Sequence, residues 1–188
     1  MDTISLIQFR TGAVDDSSHP ESTPGKRQAK RKRSNIVLEK EREFTEFVVN
    51  GKPLSSILDV FFRMKRPLLD NLIGIIGSSG NLAAEKIEIK RLLGKPISDK
   101  EIRDAFPENW DADDLDWHME RARDQLKEPE IIIYCCAFCR DGDCGGVSVL
   151  VQKTDYAFTW IFSEGDRRLK FEFDKYAYFD LFSRYLLK

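Results

Sequence analysis

The sequence predicts an α+β fold in which a C-terminal antiparallel β-meander packs against helices. Four short segments rich in β-branched and aromatic residues follow Glu130, and connections of hairpin length join them. Residues 54–128 carry helical spacing and capping signals, and residues 175–187 show the apolar face of an amphipathic helix. Because a chain of 188 residues would leave two separate cores small, we expect a single domain over residues 44–188.

Residues 1–43 are predicted to be a flexible N-terminal segment that contains a disordered basic tether. Residues 11–35 hold almost nothing apolar, so burial cannot offset the entropy lost on ordering them. The tether contains a basic run: Lys26, Arg27, Lys30, Arg31, Lys32 and Arg33. These charges have no aromatic residues between them, so a nucleic acid would be bound non-specifically through its phosphates. A solvated linker without a function is the alternative interpretation.

The domain is predicted to begin with a strand, a tight turn and a helix. Residues 44–49 have strand composition and stop at the turn dipeptide Asn50-Gly51. The helix follows, and its apolar residues share one face: Ile57, Leu58, Phe61 and Phe62. Residues 67–82 are interpreted as helical pieces around a flexible loop at residues 77–80. That loop lacks the glycine spacing and the Lys-Ser or Lys-Thr pair of a phosphate-binding loop.

Three more helices are predicted in the middle of the chain. The first covers residues 83–93. Ser98 and Glu101 form the capping box of the second helix, which Pro107 limits to about two turns. The third, at residues 116–127, is so highly charged that we expect it on the surface.

The meander and the last helix complete the predicted fold. The four strands lie at residues 131–134, 147–151, 157–162 and 169–173. The last helix has an apolar face at helical spacing: Phe179, Phe182, Tyr185 and Leu186. We therefore expect this helix to cover one face of the sheet.

All four cysteines lie between residues 135 and 144, and two arrangements compete for them. In the first, Asp141-Gly142 is a hairpin turn, Cys139 and Cys144 are cross-strand neighbours, and Cys136 faces away. In the second, the backbone leaves the strand at Cys136, so that Cys136, Cys139 and Cys144 hold one zinc ion, which still needs a fourth ligand. The first arrangement is favoured, because a strong zinc signal would be two Cys-x-x-Cys units and the chain has one.

An acidic stretch between residues 99 and 130 is the candidate partner-binding region. It carries twelve acidic residues against five basic ones. The candidate site residues are Asp113, Asp114, Asp116, Trp110 and Trp117. The aspartates would steer a cationic partner, and a tryptophan would anchor the contact. The alternative is a solvated helix start, since acidic residues favour the first turn of a helix.

A catalytic set is not apparent in the sequence. A cysteine nucleophile needs a base, and the chain has two histidines, neither near the cysteines. We therefore expect no enzyme and no catalytic or cofactor-binding residues. The apolar runs are too short to cross a bilayer and the first ten residues lack the pattern of a secretory signal, so we expect a cytoplasmic protein without a membrane partner.

Three segments of the chain resemble an uncharacterised family of small bacterial proteins. They are Val49-Asn50-Gly51-Lys52-Pro53-Leu54, the Cys-x-x-Cys-x-Asp-x-x-Cys-Gly segment at residues 136–145, and residues 171–176 together with Trp160. Arg140 stands where the family usually has glycine, which permits a positive φ that arginine avoids. The resemblance implies a bacterial, cytoplasmic origin and brings no established activity.

Three functions follow as hypotheses. The leading one is a non-enzymatic protein-binding module, such as a bacterial immunity protein that neutralises a toxin. The alternative is a zinc-knuckle nucleic-acid-binding protein that uses Cys136, Cys139, Cys144 and the basic run. The third is a thiol oxidoreductase, which is disfavoured because the cysteine motif precedes a turn and does not begin a helix.

Overall fold

The computed structural model describes residues 1–11, 42–77, 82–137 and 145–187. Within them, a three-stranded sheet of order β1-β2-β3 and a five-stranded antiparallel sheet of order β4-β5-β6-β7-β8 pack with five α-helices and a 3₁₀-helix at Leu68–Asp70. The elements are β1 Ile4–Thr11, β2 Arg42–Val49, β3 Lys52–Pro53, α1 Leu54–Phe61, β4 Leu72–Gly74, α2 Leu82–Leu92, α3 Asp99–Asp104, α4 Ala112–Lys127, β5 Glu130–Cys136, β6 Gly146–Lys153, β7 Ala157–Glu164, β8 Arg167–Asp174 and α5 Lys175–Leu186. The α+β prediction is confirmed.

The predicted meander forms strands β5 to β8. Each strand pairs antiparallel with the next along the chain. Along β7, the residues Phe158, Trp160 and Phe162 are fully buried on one face of the sheet. The opposite face holds Ala157 and Ile161, which are also buried, so composition and not alternation identified this strand in the sequence.

The first strand corrects the expectation that residues 1–43 are flexible throughout. β1 pairs with β2 over its full length, from Ile4 opposite Val49 to Thr11 opposite Arg42. The amide of Asp2 also donates to the carbonyl of Glu172 at 2.7 Å. The sequence does not indicate this pairing, because the two strands are separated by thirty residues along the chain. The basic run at residues 26–33 lies outside the described residues.

Strand β4 corrects the expectation that residues 54–128 are helical throughout. β4 pairs with β5, where Leu72 lies opposite Cys136. Its last residue, Gly74, has no room for a side chain, since a Cβ there would lie 2.4 Å from the carbonyl oxygen of Thr45. β4 thus packs tightly against β2. It forms one edge of the five-stranded sheet. The apolar residues around it were mistaken for a helix face because their partner strand is distant in sequence.

The core is aromatic, and Trp160 lies at its centre. The indole N–H of Trp160 donates to the hydroxyl of Tyr178 at 2.8 Å, and that hydroxyl donates to the carbonyl of Leu92 at 3.2 Å. Phe47 packs edge-on against Trp160, with 5.3 Å between ring centroids. These contacts join β7, α5, α2 and β2 around one buried polar chain.

Helix α5 covers the core face of the sheet as predicted, but its apolar face is rotated from the predicted one. Tyr178 and Phe182 are fully buried, whereas Phe179 is 40% exposed. The difference arises because Tyr178 turns its ring onto Phe158, where the two rings stack at 4.3 Å.

The helix cap and the tight turn that short sequence motifs predicted are also present in the structure. The capping box of α3 forms between Ser98 and Glu101. Asn50-Gly51 makes the turn between β2 and β3, with both residues at positive φ. In the described residues, none of the helices has the length and apolar character needed to span a membrane.

Candidate functional site

The predicted acidic residues surround the beginning of α4. Asp111 caps the helix, since its carboxylate accepts a hydrogen bond from the amide of Asp114 at 2.9 Å. Asp113 and Asp114 lie in the first turn, and both side chains are exposed, as is that of Asp116. Asp111 therefore has the capping role expected of an acidic helix start, whereas the other three carboxylates remain in solvent.

The two predicted tryptophans have different environments. Trp110 is half-buried and packs against Phe106 at 5.5 Å and His118 at 4.4 Å between ring centroids. Trp117 is 57% exposed, and its ring meets His118 edge-on at 4.6 Å. Trp110 is thus a packing residue, and Trp117 is the tryptophan available to a partner.

Two further carboxylates on α4 extend the surface around Trp117, although one of them, Asp124, pairs with Lys127 at 2.6 Å. Asp113, Trp117, Glu120 and Asp124 follow the spacing i, i+4, i+7 and i+11, which places them on one side of a helix. Beside Trp117 is a shallow cleft of about 400 Å³, lined by Trp117, Glu120, Arg121, Asp124, Gln125 and Glu128. We call Asp113, Asp114, Asp116, Trp117, Glu120 and Asp124 the acidic face of α4. The helical spacing was the signal that could have identified Glu120 and Asp124 from sequence.

The attachment of α4 to the rest of the molecule is mainly polar. Its buried residue is Met119. The guanidinium of Arg91, on α2, donates to the carbonyls of Gln125 at 3.4 Å, Glu128 at 3.1 Å and Glu130 at 2.8 Å. These carbonyls lie at and just beyond the C-terminal end of α4, where a cation also interacts favourably with the helix dipole.

Surface ion pairs connect α3 to its neighbouring helices. Arg123 of α4 pairs with Asp99 at 3.0 Å. Lys90 of α2 pairs with Glu101, and this hydrogen bond, together with those from Ser98, lowers the pKa of Glu101 to about 2. Arg123 and the hydrogen bonds from Arg91 thus hold the inner side of α4 in position. The outer side, which includes Asp113 and Trp117, is exposed to solvent.

A second constellation of polar groups lies inside the core. Glu46 of β2 is completely buried, and its Oε1 accepts hydrogen bonds from the hydroxyl of Tyr134 at 2.6 Å and from the amide of Ser55 at 3.1 Å. Its Oε2 has no hydrogen-bond partner among the described residues. Burial raises the pKa of Glu46, although the hydrogen bonds from Tyr134 and Ser55 act in the opposite direction.

The position of Glu46 indicates a structural role. Ser55 lies in the first turn of α1, and the residue before that helix, Pro53, provides no side-chain cap. Glu46 therefore caps α1 from a neighbouring strand, which satisfies an amide that the helix itself leaves unpaired. Because Glu46 and Tyr134 are both fully buried, a substrate from solvent does not reach them in this conformation.

The structure describes half of the cysteine segment. β5 continues through Cys135 and Cys136, which are both buried. β5 ends at Cys136 and Ala137 lies in a turn, so the described residues fit both the hairpin and the arrangement in which the backbone leaves the strand at Cys136. Cys139 and Cys144 lie outside the described residues, so the disulfide and the zinc site both stay predictions. Among the residues that the structure does describe, no cluster of three His, Cys, Asp or Glu side chains is placed to hold a metal ion.

Comparison with protein-family models, curated proteins and solved structures gives no match to this chain. The resemblance to the family of small bacterial proteins therefore stays a prediction.

Proposed function

We propose that the protein is a non-enzymatic module that binds another protein through the acidic face of α4. The observation that carries the proposal is Trp117, a large aromatic side chain that is 57% exposed, with carboxylates around it and the guanidinium of Arg121 at 5.7 Å from its ring centroid. Tryptophan is enriched among the residues that contribute most to protein–protein affinity. The rings of Phe106, Trp110 and His118 pack beneath Trp117 and the start of α4, so the anchor is held on a rigid base.

The charges on this face suit a cationic partner. The side chains of Asp113, Asp114 and Asp116 form no hydrogen bond or ion pair with other described residues, so hydrogen bonding within the fold does not account for this cluster, although Asp113 and Asp114 also interact favourably with the dipole at the start of α4. Clustered charges of one sign raise the association rate with an oppositely charged partner and orient the encounter. The partner would then present lysine or arginine residues around an apolar pocket that receives Trp117.

The class of partner that we propose is a bacterial toxin, which would make the protein an immunity protein. The small size of the chain, the resemblance to small bacterial proteins and the surface charge support this proposal. A toxin and its immunity protein are encoded next to each other, so the products of the two adjacent genes are the partners to test.

The test is the association rate constant with such a gene product, measured by stopped-flow fluorescence at several salt concentrations. The variant D113K/D114K/D116K should lower the rate at least about tenfold at low salt and remove most of its salt dependence. W117A should leave the association rate nearly unchanged and raise the dissociation rate, because an aromatic anchor acts after the encounter.

A matched control separates local charge from net charge. Asp70, Asp166 and Glu172 are exposed and lie away from α4. The variant D70K/D166K/E172K changes the net charge by the same amount as D113K/D114K/D116K. If both triple variants slow association equally, the acidic face of α4 is not the binding surface.

A further inference from the structure

A second exposed aromatic surface lies where the β6–β7 turn meets the beginning of α5. Tyr156 is 78% exposed and Tyr176 is 81% exposed, although most aromatic side chains of this protein are buried. The amide of Lys175 donates to the carbonyl of Tyr156 at 3.1 Å, so the two tyrosines stand on adjoining segments. Phe179 follows Tyr176 by one helical turn.

Three lysines border these rings. The ammonium group of Lys95 lies 4.6 Å from the centroid of Phe179, and that of Lys153 lies 5.7 Å from the centroid of Phe158. The ammonium group of Lys175 donates to the carbonyl of Asp155 at 3.1 Å. None of the three lysines forms an ion pair with another described residue. We call Lys95, Lys153, Tyr156, Lys175, Tyr176 and Phe179 the tyrosine–lysine patch.

The carboxylates near this patch are mostly engaged elsewhere. Asp174 accepts hydrogen bonds from the amides of Tyr176 and Ala177 as the N-cap of α5. Asp180 is neutralised by Arg184, whereas Asp155 and the capping carboxylate of Asp174 keep their charges, so three lysines face two carboxylates and the patch has an excess of one positive charge, although the whole chain has a net charge of −2.

A cleft extends from the patch toward the sheet. It has a volume of about 400 Å³, and Lys95 and Lys153 are among its lining residues. Ile97, Val151 and Phe158 supply apolar surface in the same cleft, and Arg91 and Glu128 also line it. The cleft thus combines apolar surface that a planar ring can contact with cationic groups that suit a phosphate.

We propose that the tyrosine–lysine patch binds single-stranded nucleic acid. Unstacked bases stack on exposed aromatic rings, and lysines contact the phosphates between them. In a duplex the base faces are covered by their neighbours, so Tyr156 and Tyr176 have nothing to stack on. The patch carries no set of side chains arranged to read base edges, and binding should therefore show little sequence preference.

This proposal is independent of the protein-binding function, because it concerns a different surface. It is also independent of the basic run at residues 26–33, which can add phosphate contacts but no stacking. Variants outside the patch and variants of the basic run can therefore serve as controls in the experiment.

The experiment is fluorescence anisotropy of labelled dT12 and U12 titrated with the full chain at low and moderate salt. Y156A/Y176A should weaken binding at least about tenfold, and Y156F/Y176F should bind like the original chain, because phenylalanine retains the stacking surface. K95Q/K153Q/K175Q should weaken binding and reduce the slope of log affinity against log salt. Val60→Ala, at an exposed position of α1 outside the patch, should have no effect.

Four outcomes would overturn the proposal. One is the absence of binding at micromolar protein concentrations. Another is equal affinity for a duplex of the same length. The third is unchanged affinity in Y156A/Y176A, which would point to a purely electrostatic contact. The last is complete loss of binding when the six basic residues from 26 to 33 are replaced by glutamine while the patch is intact.

Discussion

Helices α4 and α5 are attached to the same molecule in opposite ways. α5 places Tyr178 and Phe182 fully inside the aromatic core, where Trp160 donates a hydrogen bond to Tyr178. α4 is longer, yet Met119 is its buried residue, and hydrogen bonds from Arg91 hold its C-terminal end. Burial of apolar area is the main source of folding stability. α5 is therefore part of what makes the chain fold, whereas the outer side of α4 is available for another function.

The same contrast separates the carboxylates. Glu46 is buried and accepts hydrogen bonds from Tyr134 and from the start of α1. Asp113 and Asp116 are exposed and have no such partners. A carboxylate with a structural role is thus found inside the molecule, whereas the carboxylates proposed to bind a partner are exposed and form no hydrogen bond or ion pair with other described residues.

The largest expected effect is the loss of an aromatic ring from α5. Phe182→Ala should lower the free energy of unfolding by about 4 kcal/mol, because it removes a fully buried ring and leaves a cavity. Met119→Ala, the corresponding change on α4, should cost less than half as much. Urea denaturation of both variants measures the difference, and equal losses would show that the two helices are attached with similar strength.

The next effect concerns the buried carboxylate. Glu46→Ala should cost about 3 kcal/mol, since it leaves the Tyr134 hydroxyl and the Ser55 amide buried without an acceptor. Glu46→Gln keeps an oxygen acceptor in place and should cost about 1 kcal/mol or less. A cost for the glutamine variant as large as that for alanine would mean that the carboxylate charge itself is required.

A smaller effect is expected at the attachment of α4. Arg91→Met removes the donors to the carbonyls of Gln125, Glu128 and Glu130, and should lower the free energy of unfolding by about 1 to 2 kcal/mol. Amide hydrogen exchange should become faster in residues 112–127 while β7 and β8 keep their protection. Uniformly faster exchange in the helix and the sheet would contradict the view that Arg91 acts locally.

The smallest effect is the pH dependence contributed by Glu46. Burial raises its pKa above the ordinary value of 4.5, so the folded protein keeps this proton at pH values where the unfolded chain has released it. The contribution to stability is complete below the unfolded pKa and is lost as the pH rises through the folded pKa. Glu46→Gln should therefore become more stable relative to the original chain with rising pH. A change in the opposite direction, in unfolding curves measured from pH 4 upward, would show that the pKa is lowered.

Local patterns in the sequence predicted the parts of the fold that depend on neighbouring residues. The β-branched and aromatic composition of β7, the dipeptide Asn50-Gly51 and the capping box of Ser98 and Glu101 each predicted the right element, because each signal lies within a few residues. β1 and β4 were missed because each depends on a strand far away in the sequence. Short apolar segments do not by themselves distinguish a strand from a helix.

The candidate site was predictable in part for the same reason. The acidic residues and tryptophans of α4 form one cluster in the sequence, so they could be selected as a group. Their separate roles depend on Phe106 and His118, whose contacts with Trp110 appear only in the folded structure. Glu46 and Tyr134 are 88 residues apart, and no local pattern in the sequence predicts that their side chains form a hydrogen bond in the core.

Hydrogen–deuterium exchange of the protein with and without its bound partner protein tests the central claim most directly. The partner would be the product of an adjacent gene that forms a stable complex. If the acidic face of α4 is the binding surface, residues 112–127 should gain protection in the complex, while the tyrosines at residues 156 and 176 should exchange as before. Unchanged exchange in α4, with protection elsewhere on the surface, would contradict the claim.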